Sequence, residues 1–238
     1  MRTVVVYVHG LWLNGWESLL LRKRLSRDLS GSALAFRYSS VGAGLMENVL
    51  ALRAFLGGVR ADTLHLVGHS LGGLIILELF QSAATRVGGV ERELSFPPGR
   101  IVLLGSPVRG SRAARKLSRI ALGRRILGLT AHEALLAERD REWHGGREVG
   151  IIAGTLPLGF GRLLGSFDAP SDGTVLLAET YLAGATQHIS LHTTHSGMVY
   201  SAEVARRTAR FLRDGVFGPL SSAERGDRGR SNPDVVRR

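Results

Sequence analysis

Three residues far apart in the chain are of types that together make an activated nucleophile. They are Ser70 in Gly68-His69-Ser70-Leu71-Gly72, Asp172 in Ser171-Asp172-Gly173, and His195 in Thr194-His195-Ser196. A histidine in hydrogen-bond reach of a serine removes its proton during attack on a carbonyl. A carboxylate on the other ring nitrogen fixes the tautomer and stabilises the imidazolium. The chain has no cysteine, so serine is the obvious nucleophile, and disulfides and thiolate metal sites are excluded.

That chemistry needs elements that place it. Leu64, Leu66 and Val67 read as a short buried strand, residues 68–72 as a tight turn and Gly73 to Ser82 as an apolar helix. This is the strand-turn-helix context of a Gly-x-Ser-x-Gly nucleophile elbow. Its glycines let strand and helix close in, while the serine sits on a strained corner. With 31 glycines in 238 residues the pentapeptide arises by composition roughly 0.3 times per chain, so the surrounding elements carry the argument.

Thr3 to Val8 is β-branched and apolar, the mark of a parallel strand buried on both faces. It ends in His9-Gly10-Leu11, a position suited to supplying one oxyanion amide, that of Leu11; the Leu71 amide at the elbow helix N-terminus is the second. His9 reads as a scaffold that bonds backbone. Helices are expected over Trp16 to Leu29 and Leu45 to Leu56, with the elbow helix reaching about Arg86. Strands are expected over Ala33 to Tyr38, Arg100 to Leu104, Glu148 to Gly154 and Gln187 to His192, with a final helix over Met198 to Arg213. His195 then falls on the loop between last strand and last helix, where His188 and His192 are alternatives lying in the strand. Asp172 also reads as an Asx-turn aspartate before glycine, and Asp168 is a competitor without that glycine.

The formal net charge is +11, yet no helix-turn-helix, zinc-finger or aromatic RNA-binding signature accompanies it, so nucleic acid is not an expected partner. Residues 109 to 125 hold seven basic and no acidic side chains. Arg112, Arg115, Lys116 and Arg119 fall on one helical stripe opposite Ala113, Leu117, Ile120 and Ala121. Such a helix over 112–121 reads either as a solvated charged face or as a lid meeting anionic lipid or a negatively charged substrate. A further helical stretch is expected over Ala131 to Trp143. No histidine spacing fits a metal, Gly105 to Ser111 is not a phosphate-binding loop, and no cofactor is expected. No segment has the length and apolarity of a membrane span, and the apolar run 4–8 is too short for a signal peptide; a cytoplasmic location is the expectation.

The order Ser70, Asp172, His195 on alternating strands and helices resembles the α/β-hydrolase superfamily, in particular compact bacterial lipases and esterases. The resemblance spans about Val4 to Val216. It rests on His9-Gly10-Leu11, Gly68 to Gly73, Leu104-Gly105-Ser106-Pro107 with Gly110-Ser111, Asp172-Gly173-x-Val175, and His195 before the terminal helix. It departs at Val108, where many such lipases carry histidine. The resemblance implies an α/β fold with a roughly six-stranded, mostly parallel sheet and helices on both faces. It implies one domain over 1–218 with a helical cap at 109–147, followed by a disordered basic tail at 219–238. The implied activity is hydrolysis of acyl or lipid esters through an acyl-enzyme, with Ser70, His195 and Asp172 as the triad and Leu11 and Leu71 at the oxyanion. Acyl thioesters, or ligand binding without turnover through the basic helix, are the alternatives.

Overall fold

The computed structural model describes residues 1–81, 86–87, 90–91, 96–159 and 169–218. Six strands form one sheet: β1 (Thr3–Val8), β2 (Ser32–Phe36), β3 (Thr63–His69), β4 (Ile101–Leu104), β5 (Val149–Gly154) and β6 (Gln187–Leu191). Their spatial order is β2-β1-β3-β4-β5-β6, and every neighbouring pair is parallel. The central strands are buried along almost their whole length, which explains their near-continuous Val, Leu and Ile composition.

Alternate side chains enter two separate cores. Val4, Val6 and Val8 pack with Leu64, Leu66, Ile101 and Leu103 under α2 (Leu45–Gly57) and α3 (Leu71–Gln81). Val5 and Tyr7 pack with Val67, Val102 and Leu104 under α1 (Leu19–Asp28) and α6 (Ala202–Asp214). Each such side chain contributes about 1.5–3 kcal/mol on burial, so the period-two pattern fixes which face each strand presents. After β1 the chain turns to β2 at the sheet edge, whereas after β3 it proceeds to β4 on the other side. The loops leaving β1 and β3 therefore part and leave a crevice at the C-terminal strand ends, where open α/β sheets bind ligands.

The chain between β4 and β5 builds two helices, α4 (Arg112–Ser118) and α5 (Ala121–Leu135). Here the structure corrects three expectations. The basic stretch is not one helix over 112–121: it breaks at Arg119-Ile120, where Ile120 is extended and Gly123 packs so tightly on Leu117 that a Cβ would lie 2.0 Å from its carbonyl oxygen. The basic stripe is broken too, because Arg115 pairs with Glu138 at 2.6 Å while Arg112 and Arg119 stay exposed. The helix expected over 131–143 stops at Leu135; Ala137 to Glu142 offer no apolar face, and Trp143 turns into the core. At α3, residues 82–85 lie outside the described residues, and Arg86–Val87 pair antiparallel with Val90–Glu91 rather than continuing the helix. Strand β2 ends at Phe36, two residues early, because Tyr38 turns off to pack on His9. Before α6, Ser196–Val199 forms a separate 3-10 turn, and Ser201 caps the helix by accepting from the Val204 amide at 3.2 Å. Asp168, Phe160 and the 219–238 tail lie outside the described residues. Among those described, no helix is long and apolar enough to cross a membrane.

Candidate active site

The elbow is built by close approach. Ser70 has φ +54°, a left-handed conformation costly for a residue with a Cβ. It is held there from both sides: its amide donates to the Leu104 carbonyl at 2.9 Å, and its carbonyl accepts from the Gly73 amide at 3.1 Å. A Cβ on Gly68 would lie 2.5 Å from Gly73 Cα, and one on Gly72 would lie 2.2 Å from the Val8 carbonyl oxygen. Only glycine lets α3 start this close to β3 and to the end of β1.

His195 stands across the crevice, and its Nδ1 is 2.7 Å from Asp172 Oδ2. The two oxygens of Asp172 are divided: Oδ1 accepts from the Thr174 and Val175 amides at 2.9 and 2.7 Å, and Oδ2 faces the imidazole. Asp172 thus makes an Asx turn with one oxygen and meets the imidazole with the other. The Asp172 carbonyl also accepts from the His195 amide at 2.9 Å, fixing the two loops at backbone level. The alternative histidines lie elsewhere: His188 Nε2 is 2.8 Å from Thr180 Oγ1, and His192 is exposed.

Two further histidines serve as struts. His69 is buried beneath the site with its ring 4.8 Å from that of His195, and its Nε2–H donates to the His195 carbonyl at 3.1 Å. Burial above all, then the neighbouring His195, pushes its pKa down to about 3. It is a neutral donor, and its Nδ1 is buried without a partner. His9 stacks on Tyr38 at 4.1 Å and donates from Nδ1 to the Gly10 carbonyl at 2.8 Å, while Tyr38 Oη donates to the His9 carbonyl at 2.9 Å. Burial lowers the His9 pKa as well. His9 is thus a neutral brace for the loop that carries Leu11.

Ser70, His195 and Leu11 line one cavity of about 310 Å³. Leu71, the residue after Ser70, is buried as the first residue of α3, where an amide has no acceptor within the helix. The remaining walls are largely apolar and come mostly from the inserted pair: Ala113, Ala114 and Leu117 of α4, with Leu127 and Leu135 of α5. Among the described residues, no ionisable side chain other than His69 and His195 lines it. Leu158 is exposed and off the lining. No local pattern in the sequence announces a tie across the mouth. Trp12, at φ +61°, donates from Nε1 to the Ile126 carbonyl at 2.8 Å, and its amide donates to Ser40 Oγ at 3.1 Å. A lone exposed tryptophan gives no sequence signal for such a bond. A more open recess of about 410 Å³ lies along α6 among Asp28, Glu203, Arg206 and Arg210, remote from these groups. Among the described residues no three acidic or histidine side chains gather as metal ligands.

The sequence matches the alpha/beta hydrolase family over residues 5–223, and the chain belongs to that family. Solved structures share the fold. A pyrethroid hydrolase, PytH, superposes with a TM-score of 0.59 at 14% identity, covering 90% of this chain and 99% of its own. A metagenomic carboxyl esterase gives 0.56 at 18% identity, over 81% of this chain and 64% of its own. The RedJ thioesterase of the prodiginine biosynthetic pathway of Streptomyces coelicolor gives 0.53 at 13% identity, over 89% and 83%. No curated protein matches the sequence.

Proposed function

We propose that the chain is a serine hydrolase of carboxylic esters with apolar acyl groups. The observation that carries this reading is the 2.7 Å contact between His195 Nδ1 and Asp172 Oδ2, placed behind a cavity that His195 shares with Ser70. With the proton on Nδ1, Nε2 is the free base. It takes the Ser70 proton as Oγ adds to the ester carbonyl, and the amides of Leu11 and Leu71 hold the oxyanion. It then returns the proton to the departing alcohol, leaving an acyl-Ser70 that water, activated the same way, hydrolyses. The apolar wall given by α4 and α5 suits an acyl chain, with the helical pair acting as a cap.

A thioester is the second reading. It is favoured by the fold shared with the RedJ thioesterase and by exposed arginines at 112 and 119, which suit a phosphate-bearing carrier.

Hydrolysis of p-nitrophenyl esters from short to long acyl chains tests both. Ser70→Ala and His195→Ala should each lower kcat by about 10⁴-fold or more, and a fluorophosphonate should label the wild type but not Ser70→Ala. A matched pair of oxygen ester and acyl thioester then separates the two readings by kcat/KM. A wild type inert on all of them and unlabelled would sink the hydrolytic reading and leave a binding protein.

A further inference from the structure

Four large apolar side chains stand in solvent within ten residues of the inserted pair: Ile120, Leu122, Ile126 and Leu129 are 59%, 68%, 43% and 56% exposed. Scattered exposed leucines need no explanation, but a cluster of this density does. It is not the product of a detached helix. Leu127 is buried on the inner side, and Thr130 donates to the Ala43 carbonyl at 2.6 Å while accepting from Asn48 Nδ2 at 2.8 Å. The Trp12 ring, half exposed, is bonded to the Ile126 carbonyl and completes the patch.

The charge around these residues has one sign. Arg119, Arg124 and Arg125 are exposed and make no ion pair among the described residues. No acidic residue occurs between Arg109 and Glu133. The nearest carboxylates in sequence are engaged: Glu133 accepts from the Leu45 amide, Glu138 pairs with Arg115 and Asp140 with Arg109.

We infer that this outer face of the first half of α5, with Trp12 at its edge, docks on an anionic lipid bilayer. Aliphatic side chains enter the acyl boundary, arginines extend their stems to headgroup phosphates, and a tryptophan suits the interface. Trp12 also lines the mouth of the cavity, so a docked molecule opens its apolar chamber toward the membrane. The docking itself needs no turnover, whereas the use of that opening for substrate entry rests on the hydrolytic reading.

The full chain carrying Ser70→Ala is mixed with vesicles of neutral phosphatidylcholine or of phosphatidylcholine with phosphatidylglycerol, and binding is read by co-flotation. Binding to the anionic vesicles, much weaker on neutral ones and falling with salt, is expected. An arginine near an anionic surface is worth about five-fold in partitioning, so Arg124→Ser with Arg125→Ser should lose about 25-fold. Leu122→Ser should weaken binding at every salt concentration. In a Ser70 background, the same three substitutions should leave hydrolysis of a soluble short-chain ester and the Tm unchanged, which shows that the fold is intact. Equal binding to both vesicle types, binding indifferent to these substitutions, or no binding would overturn the proposal. So would a wild type that is dimeric in solution and becomes monomeric in Leu122→Ser without ever floating, since a second copy would then cover the face. Failure of hydrolysis with vesicle binding intact would remove the enzymatic reading and leave the docking standing.

Discussion

The corner at Ser70 and the helical pair α4–α5 face each other across one cavity and are made in opposite ways. At the corner, backbone meets backbone at distances only glycine allows, and Ser70 is held left-handed by amides and carbonyls of neighbouring strands. The pair packs Leu127, Ala131, Ala134 and Leu135 on the core and adds polar ties from Trp12 to Ile126, Thr130 to Ala43 and Asn48, and Glu133 to Leu45. Gly128, at φ +73° and ψ 176°, kinks α5 between the exposed half and the anchored half. The corner is thus fixed through its backbone, and the wall opposite it chiefly through side chains.

The sharpest way to break this contrast is to add one methyl group to each side. In Gly72→Ala the new Cβ lies 2.2 Å from the Val8 carbonyl oxygen and 2.5 Å from that of His9, so β1 must move. A loss of about 3 kcal/mol or more is expected in urea unfolding, with activity falling as well. In Gly128→Ala the Cβ lies 2.3 Å from the Val41 carbonyl oxygen and 2.4 Å from its Cα, and φ +73° with ψ 176° is a conformation only glycine adopts readily. Its Tm should fall as well, but the strain lies between α5 and the backbone at Val41 rather than at Ser70, so fluorophosphonate labelling of Ser70 should persist while the preferred acyl-chain length changes as Leu127 moves.

Acid gives the next largest effect. His69 and His65 are held at about 3 and about 4, in each case chiefly by burial, whereas an unfolded histidine titrates near 6.5. Between pH 6.5 and 4 the unfolded chain binds protons that the folded chain refuses. Stability is therefore full above 6.5 and falls as pH drops, by about 1.4 kcal/mol per pH unit for each of the two. Urea midpoints measured from pH 7.5 to 4.5 should show this slope, and His69→Gln, which can retain an N–H for the His195 carbonyl without titrating there, should flatten it. The smallest effect belongs to the tie. Trp12→Phe removes one hydrogen bond, worth about 1 kcal/mol, between the loop after β1 and α5. It should lower kcat/KM by about five-fold with almost no change in Tm.

The same contrast governs what the sequence could reveal. Strands β1, β3, β4 and β5, buried on both faces, are written as apolar runs, and the elbow glycines stand in a pentapeptide that can be read directly between strand and helix. From that regularity Ser70 is expected on the turn after β3 and His195 on the loop after β6, while the pairing of Asp172 with His195 is visible only in the folded chain. Segment 109–147 has no such constraint. Its break at Ile120 depends on Gly123 meeting Leu117, and after Leu135 the chain is drawn off to Trp143, which turns into the core and donates to the Ala183 carbonyl. The Trp12 bond, whose partners lie 114 positions apart, and the Tyr38–His9 brace are likewise tertiary events that no local pattern announces.

Strands β4 and β5 are hydrogen-bonded neighbours, so the chain leaves the sheet and re-enters it one position over, whatever it does in between. Forty-odd residues are spent on a loop whose two ends are already fixed. The arrangement is modular in the evolutionary sense: insertions, deletions and wholesale exchange between Leu104 and Val149 redraw what the protein accepts without renegotiating the corner that would act on it. Variation among descendants of such a chain is therefore expected to accumulate there first, and laboratory selection for a new substrate has its least costly starting point in the same segment.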